Sequence, residues 1–353
     1  MRTLLLDDAQ PRLPLDPRGS LPVVYAHLAA AGHDVLAVTA ERSVAGVSTQ
    51  TPRRLPLGLM RRRRYLAAVD EAIRCGPDLV LAVLSPSLDL LEAIRRTQQA
   101  DLPTLVYVSQ LDPEASFLAG DHSTSSSVFK LGATIFREAD VIIAASDDLA
   151  QTVRSRPNCL GCDLEVIPPL PAFSTEATSR SDDSTFRVLE VVASDLLPID
   201  SHCPDGVDWH RIAAAELRSE HLSAVDLVVA THEEETTAVV SDALLPTATL
   251  AGIPTLSVGN RRGRIGDLID DQALGYVCDR DPVIIADTVA AAANDRLDSA
   301  ERRELAARAS DLFAPSQTLQ QWADVLDDFR EWPEEQTSEP PLTGRSTASR
   351  SAA

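Results

Sequence analysis

The sequence is poor in several kinds of residue, and these shortages argue against a membrane-spanning helix and a secretion signal. It has 353 residues, a single lysine at Lys130, 4% aromatic residues and no long run of apolar residues. A membrane-spanning helix needs about 20 consecutive apolar residues, so none is predicted. The first ten residues carry one arginine and a very short apolar run, which predicts a β-strand and not a secretion signal. Five scattered cysteines, an odd number, favour a reduced cytoplasmic compartment.

Charge and cysteine spacing narrow the possible partners. The chain has 53 acidic against 32 basic residues, a net charge of −21, which argues against nucleic acid as a partner. Cys159 and Cys162 form one CxxC pair, but a structural zinc site needs four ligands and no second pair lies at a suitable spacing. We therefore predict no metal site. We predict no redox role either, because the pair lies in a loop.

The first half alternates short apolar runs with helical patterns, which predicts a parallel α/β sheet. Strands are predicted at residues 3–6, 33–40, 77–84, 102–110 and 141–145. The polar stretch 120–130 is predicted to be a mobile loop. Residues 163–171 close this half, because Pro168, Pro169 and Pro171 cannot continue a strand. We assign residues 1–171 to a first domain.

The second half repeats this alternation on a smaller scale. Residues 172–185 are predicted to be a linker, and residues 186–193 to be the first strand of a second sheet. Residues 195–231 predict a loop, a helix and then a strand. Three helical patterns follow residue 281 and end in a terminal helix that contains Trp322. The second domain is placed at residues 186–331, and residues 332–353 have the composition of a disordered tail.

The stretch from Gly252 to Pro282 has the features of an anion-binding loop. A short strand at residues 255–258 precedes a turn that contains Arg261, Arg262 and Gly263, and a helix then begins. Glycines let backbone N–H groups approach a ligand, a helix N-terminus favours negative charge, and arginines suit a diphosphate. A plain surface turn is the alternative.

A basic island interrupts the acidic sequence at residues 51–65. Arg53, Arg54 and the run Arg61–Arg64 flank an apolar segment. One interpretation is a solvated loop that leads into a helix from Arg64. The other is peripheral contact of Arg53–Arg64 with an anionic membrane on its inner face, or with a lipid-phosphate acceptor. Each arginine near such a surface adds about 1 kcal/mol.

These motifs, in this order, resemble family-4-type glycosyltransferases with the GT-B fold. The resemblance is carried by Gly19-Ser20 before a helix, residues 31–35, 77–83, 139–149 and 166–169, the Gly252–Pro282 stretch and the Trp322 helix. It implies an α/β protein with two Rossmann-like parallel-sheet domains that face each other across a cleft, the second domain being reduced. It further implies a nucleotide-sugar as substrate, a glycan, lipid-linked or small-molecule acceptor, and neither a cofactor nor an obligatory metal.

The resemblance also implies where the donor binds. The diphosphate is expected at Arg261, Arg262 and Gly263, and the ribose at a carboxylate such as Glu235 or Asp242. Gly19 and Ser20 are expected in an acceptor or phosphate loop on the other domain. No catalytic residue can be named.

The sequence departs from the family pattern at several positions. The family carries two glutamates before its Gly-x-Pro, where this chain has Val239 and Thr247. The segment that usually supplies a donor-gripping Arg and Lys is short and has no lysine, and Ser109-Gln110 stands where a histidine is frequent. Three hypotheses stay open: a retaining glycosyltransferase, an inactive GT-B-like partner or scaffold protein, and an inverting GT-B transferase.

Overall fold

The structure is a computed structural model of the chain. It describes residues 1–7, 21–39, 48–50, 58–85, 87–111, 122–156, 159, 162–171, 185–192, 204, 206–213, 216–232, 243–259 and 264–329.

The first half forms a seven-stranded sheet in which all paired strands are parallel. Its strands are β1 (Arg2–Asp7), β2 (Asp34–Thr39), β3 (Ser48–Gln50), β4 (Leu79–Val83), β5 (Thr104–Val108), β6 (Val141–Ala144) and β7 (Asp163–Val166). The spatial order is β3-β2-β1-β4-β5-β6-β7. β1, β4, β5 and β6 are almost wholly buried, as expected for apolar strands covered on both faces.

Among the described residues, five helices connect these strands. They are α1 (Leu21–Ala30), α2 (Gly58–Arg74), α3 (Leu88–Gln98), α4 (His122–Arg137) and α5 (Asp147–Arg154). Ser87 and Ser146 begin α3 and α5, because each side chain accepts a hydrogen bond from the backbone N–H three residues later.

The second half forms a five-stranded sheet, also parallel throughout. Its strands are β8 (Phe186–Val192), β9 (Val207–Ala213), β10 (Leu227–His232), β11 (Thr255–Gly259) and β12 (Gly275–Cys278), in the order β12-β11-β10-β8-β9. Its helices are α6 (Ser219–Leu222), α7 (Leu244–Leu250), α8 (Arg264–Asp271), α9 (Pro282–Asn294), α10 (Ser299–Phe313) and α11 (Pro315–Asp328). The predicted fold class is confirmed, and the second sheet is the smaller one. The domain boundaries proposed above stay predictions.

The last helix packs against the first sheet. Trp322 is buried in the core of the first half, and its ring meets that of Tyr107 edge-on at 5.2 Å between centroids. The backbone of Ala314, at φ −39° and ψ 102°, separates α10 from α11. The chain therefore returns to the first sheet at its C-terminal helix.

Gly252 allows α7 and α10 to pack closely. It has a φ of 74°, a conformation that side-chain-bearing residues rarely adopt. A Cβ atom here would also lie 2.5 Å from the carbonyl oxygen of Arg302. The small-Gly-x-Pro pattern in the sequence thus reflects close backbone packing.

Three local predictions were wrong. Residues 122–130 belong to α4 and not to a loop, and α2 begins at Gly58, so the run Arg61–Arg64 is helical. The helix expected between residues 195 and 225 is only the four-residue α6, and Val207–Ala213 form β9 instead. Among the described residues, no helix is long and apolar enough to cross a membrane.

Candidate functional site at the carboxyl edges of the two sheets

Each sheet has one point at which the strand order reverses. In the first sheet the chain moves outward from β1 to β3 and then continues with β4 on the other side of β1. In the second sheet it moves from β8 to β9 and then to β10 on the other side of β8. Open parallel sheets bind ligands outside the carboxyl ends of the strands at such switch points. The candidate site therefore lies beyond β1 and β4 on one sheet and beyond β8 and β10 on the other.

At the first switch point, β1 ends in the buried Asp7 and α1 begins at Leu21. The predicted phosphate-loop residues Gly19 and Ser20 come directly before α1, and both lie outside the described residues. On the neighbouring strand, β4 is followed by the Ser87 cap and by Asp89 in the first turn of α3. Asp7, Ser87 and Asp89 are thus described residues that border this half of the site.

Ser109 is a buried hydroxyl at this same edge, directly after β5. It is 1% exposed, and its Oγ has no hydrogen-bond partner among the described residues. Buried polar atoms without a partner are uncommon and call for an explanation. Thr3 and Thr255, at the opposite ends of their strands, also have such hydroxyls, so the feature alone does not mark a site.

At the second switch point, the structure positions the ends of the predicted donor segments. Glu235 and Asp242 lie in residues 233–242, and Arg261, Arg262 and Gly263 in residues 260–263; all five are outside the described residues. The strands before these segments, β10 and β11, are paired, and their last residues His232 and Gly259 are register partners. Both segments consequently leave the sheet from neighbouring backbone positions, and α8 begins at Arg264.

Thr247 stands where the family carries the second glutamate, and the structure gives it a packing role. Its side chain is buried in α7, and its hydroxyl donates to the carbonyl oxygen of Ala243. A threonine in this state offers a ligand neither a carboxylate nor a free hydroxyl proton. If a carboxylate binds the donor, it comes from another position.

Glu190 is a buried carboxylate on β8 that the sequence analysis missed. It is 3% exposed and accepts hydrogen bonds from Trp209 Nε1 at 2.9 Å and from Arg211 Nε at 3.0 Å. Glu190 and Arg211 are register partners on β8 and β9. Because its partners Trp209 and Arg211 both lie on β9, this carboxylate holds the edge strand in place. Only knowledge of the strand pairing could have found it.

Asp226 forms a second buried ion cluster, at the amino end of β10. It accepts from Arg296 Nη2 at 2.9 Å, from Arg302 Nη2 and from the backbone N–H of Arg187 at 3.0 Å. The cluster ties the sheet to the start of α10. It lies at the opposite end of β10 from the candidate site, so its role is structural.

The CxxC pair carries neutral thiols. Burial raises the pKa of Cys159 to about 11, and it also raises the pKa of Cys162. Thiolates are the metal ligands and nucleophiles, so raised pKa values disfavour both roles. Within the described part of the chain, no group of three or more His, Cys, Asp or Glu side chains could hold a metal ion.

The part of the basic island that belongs to α2 lies beside the first switch point. Arg62 Nε is 3.2 Å from Asp89 Oδ1, which brings the first turns of α2 next to the start of α3. Arg62, Arg63 and Arg64 therefore lie at the carboxyl edge of the first sheet. Arg53, Arg54 and the side chain of Arg61 are outside the described residues.

Comparison with known proteins identifies the architecture. No protein-family model and no curated protein matches the sequence. Solved structures do match. Sucrose-phosphate synthase from Thermosynechococcus elongatus has a TM-score of 0.65 at 14% identity, with 94% of this chain and 99% of that chain covered. HepE of Anabaena, solved in complex with UDP-glucose, has a TM-score of 0.63 at 16% identity, with 93% and 100% covered.

A third match is WaaG, a glycosyltransferase involved in lipopolysaccharide biosynthesis, at a TM-score of 0.59 and 14% identity, with 94% and 100% covered. These identities are too low to transfer an activity, but the coverage spans nearly the whole of every chain. Together with two parallel sheets and a terminal helix that returns to the first, they establish that this chain has the GT-B fold of these glycosyltransferases.

Proposed function

We propose that the protein is a glycosyltransferase that moves a sugar from a nucleotide-sugar to a glycan, lipid-linked or small-molecule acceptor. The observation that carries this proposal is the similarity of almost the entire chain to GT-B glycosyltransferases, one of them bound to UDP-glucose. Each sheet also has a switch point, and open parallel sheets bind ligands at such points, outside the carboxyl ends of the strands.

The donor diphosphate is proposed to bind in the loop between β11 and α8. Arg261 and Arg262 supply positive charge, and Gly263 lets the backbone approach the phosphates just before α8 begins. Charge that develops on the leaving diphosphate would be stabilised by these groups, without an obligatory metal. Glu235 or Asp242, which follow β10, are proposed for the ribose.

The first domain is proposed to hold the acceptor. Gly19 and Ser20 precede α1 at the first switch point and would approach the acceptor or the donor phosphate from that side. Catalysis then rests on positioning the acceptor hydroxyl and stabilising the leaving group. A retaining outcome is the prediction, and an inverting one is its alternative.

A second candidate is a GT-B-like partner without catalytic activity. The specific observation in its favour is Thr247, which is buried and hydrogen-bonded within α7 where the family has a glutamate. An inactive partner would keep the fold while losing turnover.

The test is a calorimetric panel of UDP, GDP, ADP and their common sugar conjugates against the full chain. The variant Arg261→Ala/Arg262→Ala should lose at least tenfold in affinity, since each bidentate arginine–phosphate contact is worth about 1.5–3 kcal/mol. Arg74→Ala/Arg303→Ala is the matched control. It removes the same charge from two exposed helix positions and should bind as the native chain does.

The outcomes separate the hypotheses. Binding of one nucleotide that only the loop variant loses, followed by sugar release or transfer, supports the transferase. Binding without turnover towards any acceptor tried supports the inactive partner, and no binding at millimolar nucleotide would overturn the donor site. The anomeric configuration of the product distinguishes retention from inversion, and activity undiminished by EDTA would support metal independence.

A further inference from the structure

The first helix, α1, has an exposed stripe that carries no charge. Val23 is 55% exposed, and Ala26 and Ala30, three and seven residues further along, are exposed as well. Residues at this spacing lie on one face of a helix. Residues 19–33 contain no Asp, Glu, Lys or Arg, although the net charge of the chain is −21. The helix therefore turns an uncharged, apolar face away from the first sheet.

This combination of exposure and neutrality sets α1 apart from the other described helices. The only other one without a charged residue is α7, and it is almost wholly buried. A helix that is apolar on all sides is normally covered on all sides. The stripe on α1 is therefore expected to have a partner.

The last helix ends beside the end of α1. The two helices pack together, and Nε2 of His33, just after α1, is 3.9 Å from Oδ1 of Asp327 in the last turn of α11. The side chain of His33 is 8% exposed, and its Nδ1 has no hydrogen-bond partner among the described residues. Buried polar atoms usually have a partner. The corner between the two helix ends thus has room for a further polar contact beside the apolar stripe.

The chain continues from this corner with residues 330–353. The buried side chains of α11 that fill the first core include Trp322, Leu326 and Phe329, at spacings of four and three residues. Trp332 follows at a further spacing of three. The apolar pattern of α11 therefore extends past the end of the described residues, to a large aromatic side chain.

The position of Trp332 in the chain lets it reach the stripe. It is five residues beyond Asp327, which corresponds to at most about 18 Å of chain. The stripe from Ala30 to Val23 is about 10 Å long and begins next to the His33 corner. Charge also favours this segment, since residues 330–353 contain four acidic and three basic residues, whereas a second copy of the chain would bring another net charge of −21.

We propose that the segment beginning at Arg330 is a strap that docks on the exposed stripe of α1 through Trp332. The inference does not depend on the proposed function. Its consequence is mechanical, because α1 begins at the first switch point and the strap would brace that helix from its outer face. The start of the segment would then be ordered, and only the residues beyond the strap would behave as the disordered tail that composition predicts.

The test is the fluorescence of Trp332 in the full chain, measured as the difference between the native protein and Trp332→Phe. The other two tryptophans are common to both proteins and cancel. The difference spectrum should be blue-shifted and weakly quenched by acrylamide, as for a buried indole. Val23→Asp puts a charge on the stripe and should shift this spectrum to the red and restore strong quenching. Val283→Asp, at a valine of α9 that is 59% exposed, is the matched control and should change neither property.

Three results would overturn the proposal. They are an exposed indole in the native chain, equal responses to the two aspartate substitutions, and protection of Trp332 that is lost on dilution, which would assign the stripe to a second copy. Hydrogen exchange gives an independent readout. Trp332→Ser should lower the protection of α1 and leave that of α3 unchanged, and equal losses in both helices would contradict the strap. Circular dichroism checks that all variants are folded.

Discussion

The two halves of the molecule solve the same packing problem differently. The first sheet has one continuous apolar core that extends from β1 to the returning helix α11. The core of the second sheet divides into three smaller clusters, one on each face and a third among α7, α8 and α10. Two buried carboxylates of the second half, Glu190 and Asp226, are each bonded to arginine.

The difference shows what a smaller sheet requires. A continuous core positions its elements through many shape-dependent contacts, each of them weak. Where the core is divided, a few directional ion pairs hold the elements in register, at a desolvation cost that leaves little net stabilisation. We therefore expect the first half to be sensitive to lost volume and the second half to be sensitive to lost charge pairing.

Removal of Trp322 should produce the largest effect on stability. Trp322→Ala deletes a fully enclosed ring from the shared core and should lower the free energy of unfolding by about 4–5 kcal/mol. The measurement is a urea unfolding curve, with limited proteolysis to detect release of α11. Leu312→Ala, at the exposed end of α10, is the control and should cost under about 1 kcal/mol. Equal effects of the two substitutions would argue against a core role for α11.

Loss of Asp226 should be the next largest effect, and it should fall on the second half. Asp226→Ala leaves Arg302 and Arg296 without their carboxylate, which should cost about 3–4 kcal/mol. Asp208→Ala removes a half-buried carboxylate near Arg187 and His210; it is the control and should cost under about 1 kcal/mol. Hydrogen exchange should report faster opening of β10 and α10 and unchanged protection of the first sheet. Opening of both sheets together would contradict separate stabilisation.

Neutralising Glu190 should lower the stability by less than the loss of Asp226 does. Glu190→Gln keeps the shape but removes the charge that Arg211 requires, so we expect a loss of about 1–3 kcal/mol. Thermal unfolding provides the measurement. Glu304→Gln, which weakens an exposed pair with Arg308, serves as the comparison and should change stability by less than about 0.5 kcal/mol. A Glu190 variant as stable as the native chain would remove the charge-pairing explanation for β9.

The stability of the first half should fall slightly at alkaline pH. The pKa of Cys159 is raised from 9.0 to about 11 when folded, so the folded state holds this proton more tightly than the unfolded chain. The stabilisation that this bound proton provides is fully present below pH 9 and is lost as the pH rises towards 11. At pH 10 the free energy of unfolding should be about 1 kcal/mol lower than it is below pH 9. Cys159→Ala should flatten this part of the pH–stability curve, whereas Cys75→Ala, at an exposed position, should not. Identical curves for the two variants would contradict the assignment.

Sequence patterns predicted the buried strands well, because a strand covered on both faces must be apolar throughout. They failed at β9, where the charged and aromatic residues from Asp208 to Arg211 are followed by alanines that favour a helix. The structure places β9 in the sheet because Glu190 supplies the partner for Trp209 and Arg211. That partner lies on another strand, so a local pattern could not reveal it.

The start of α4 was missed for a related reason. Its serine-rich first turns have low helix propensity, but Phe129 and Phe136 further along the helix both pack against the guanidinium of Arg156. For the candidate site, the sequence predicts the order of the carboxylate segment and the arginine segment. Their common origin at the end of β10 and β11 follows only from the pairing of His232 with Gly259.

The return of α11 to the first sheet limits where the chain can be cut to make fragments or chimeras. The core of the first half is assembled from two distant pieces of the chain, because Trp322, Ala323, Leu326 and Phe329 occupy a core otherwise built from residues before 172. A fragment that ends at residue 171 would expose the apolar groove that Trp322 fills, and we expect it to aggregate. A chimera that exchanges the second half must therefore retain residues 315–329 from the parent that provides residues 1–171, which requires two junctions instead of one.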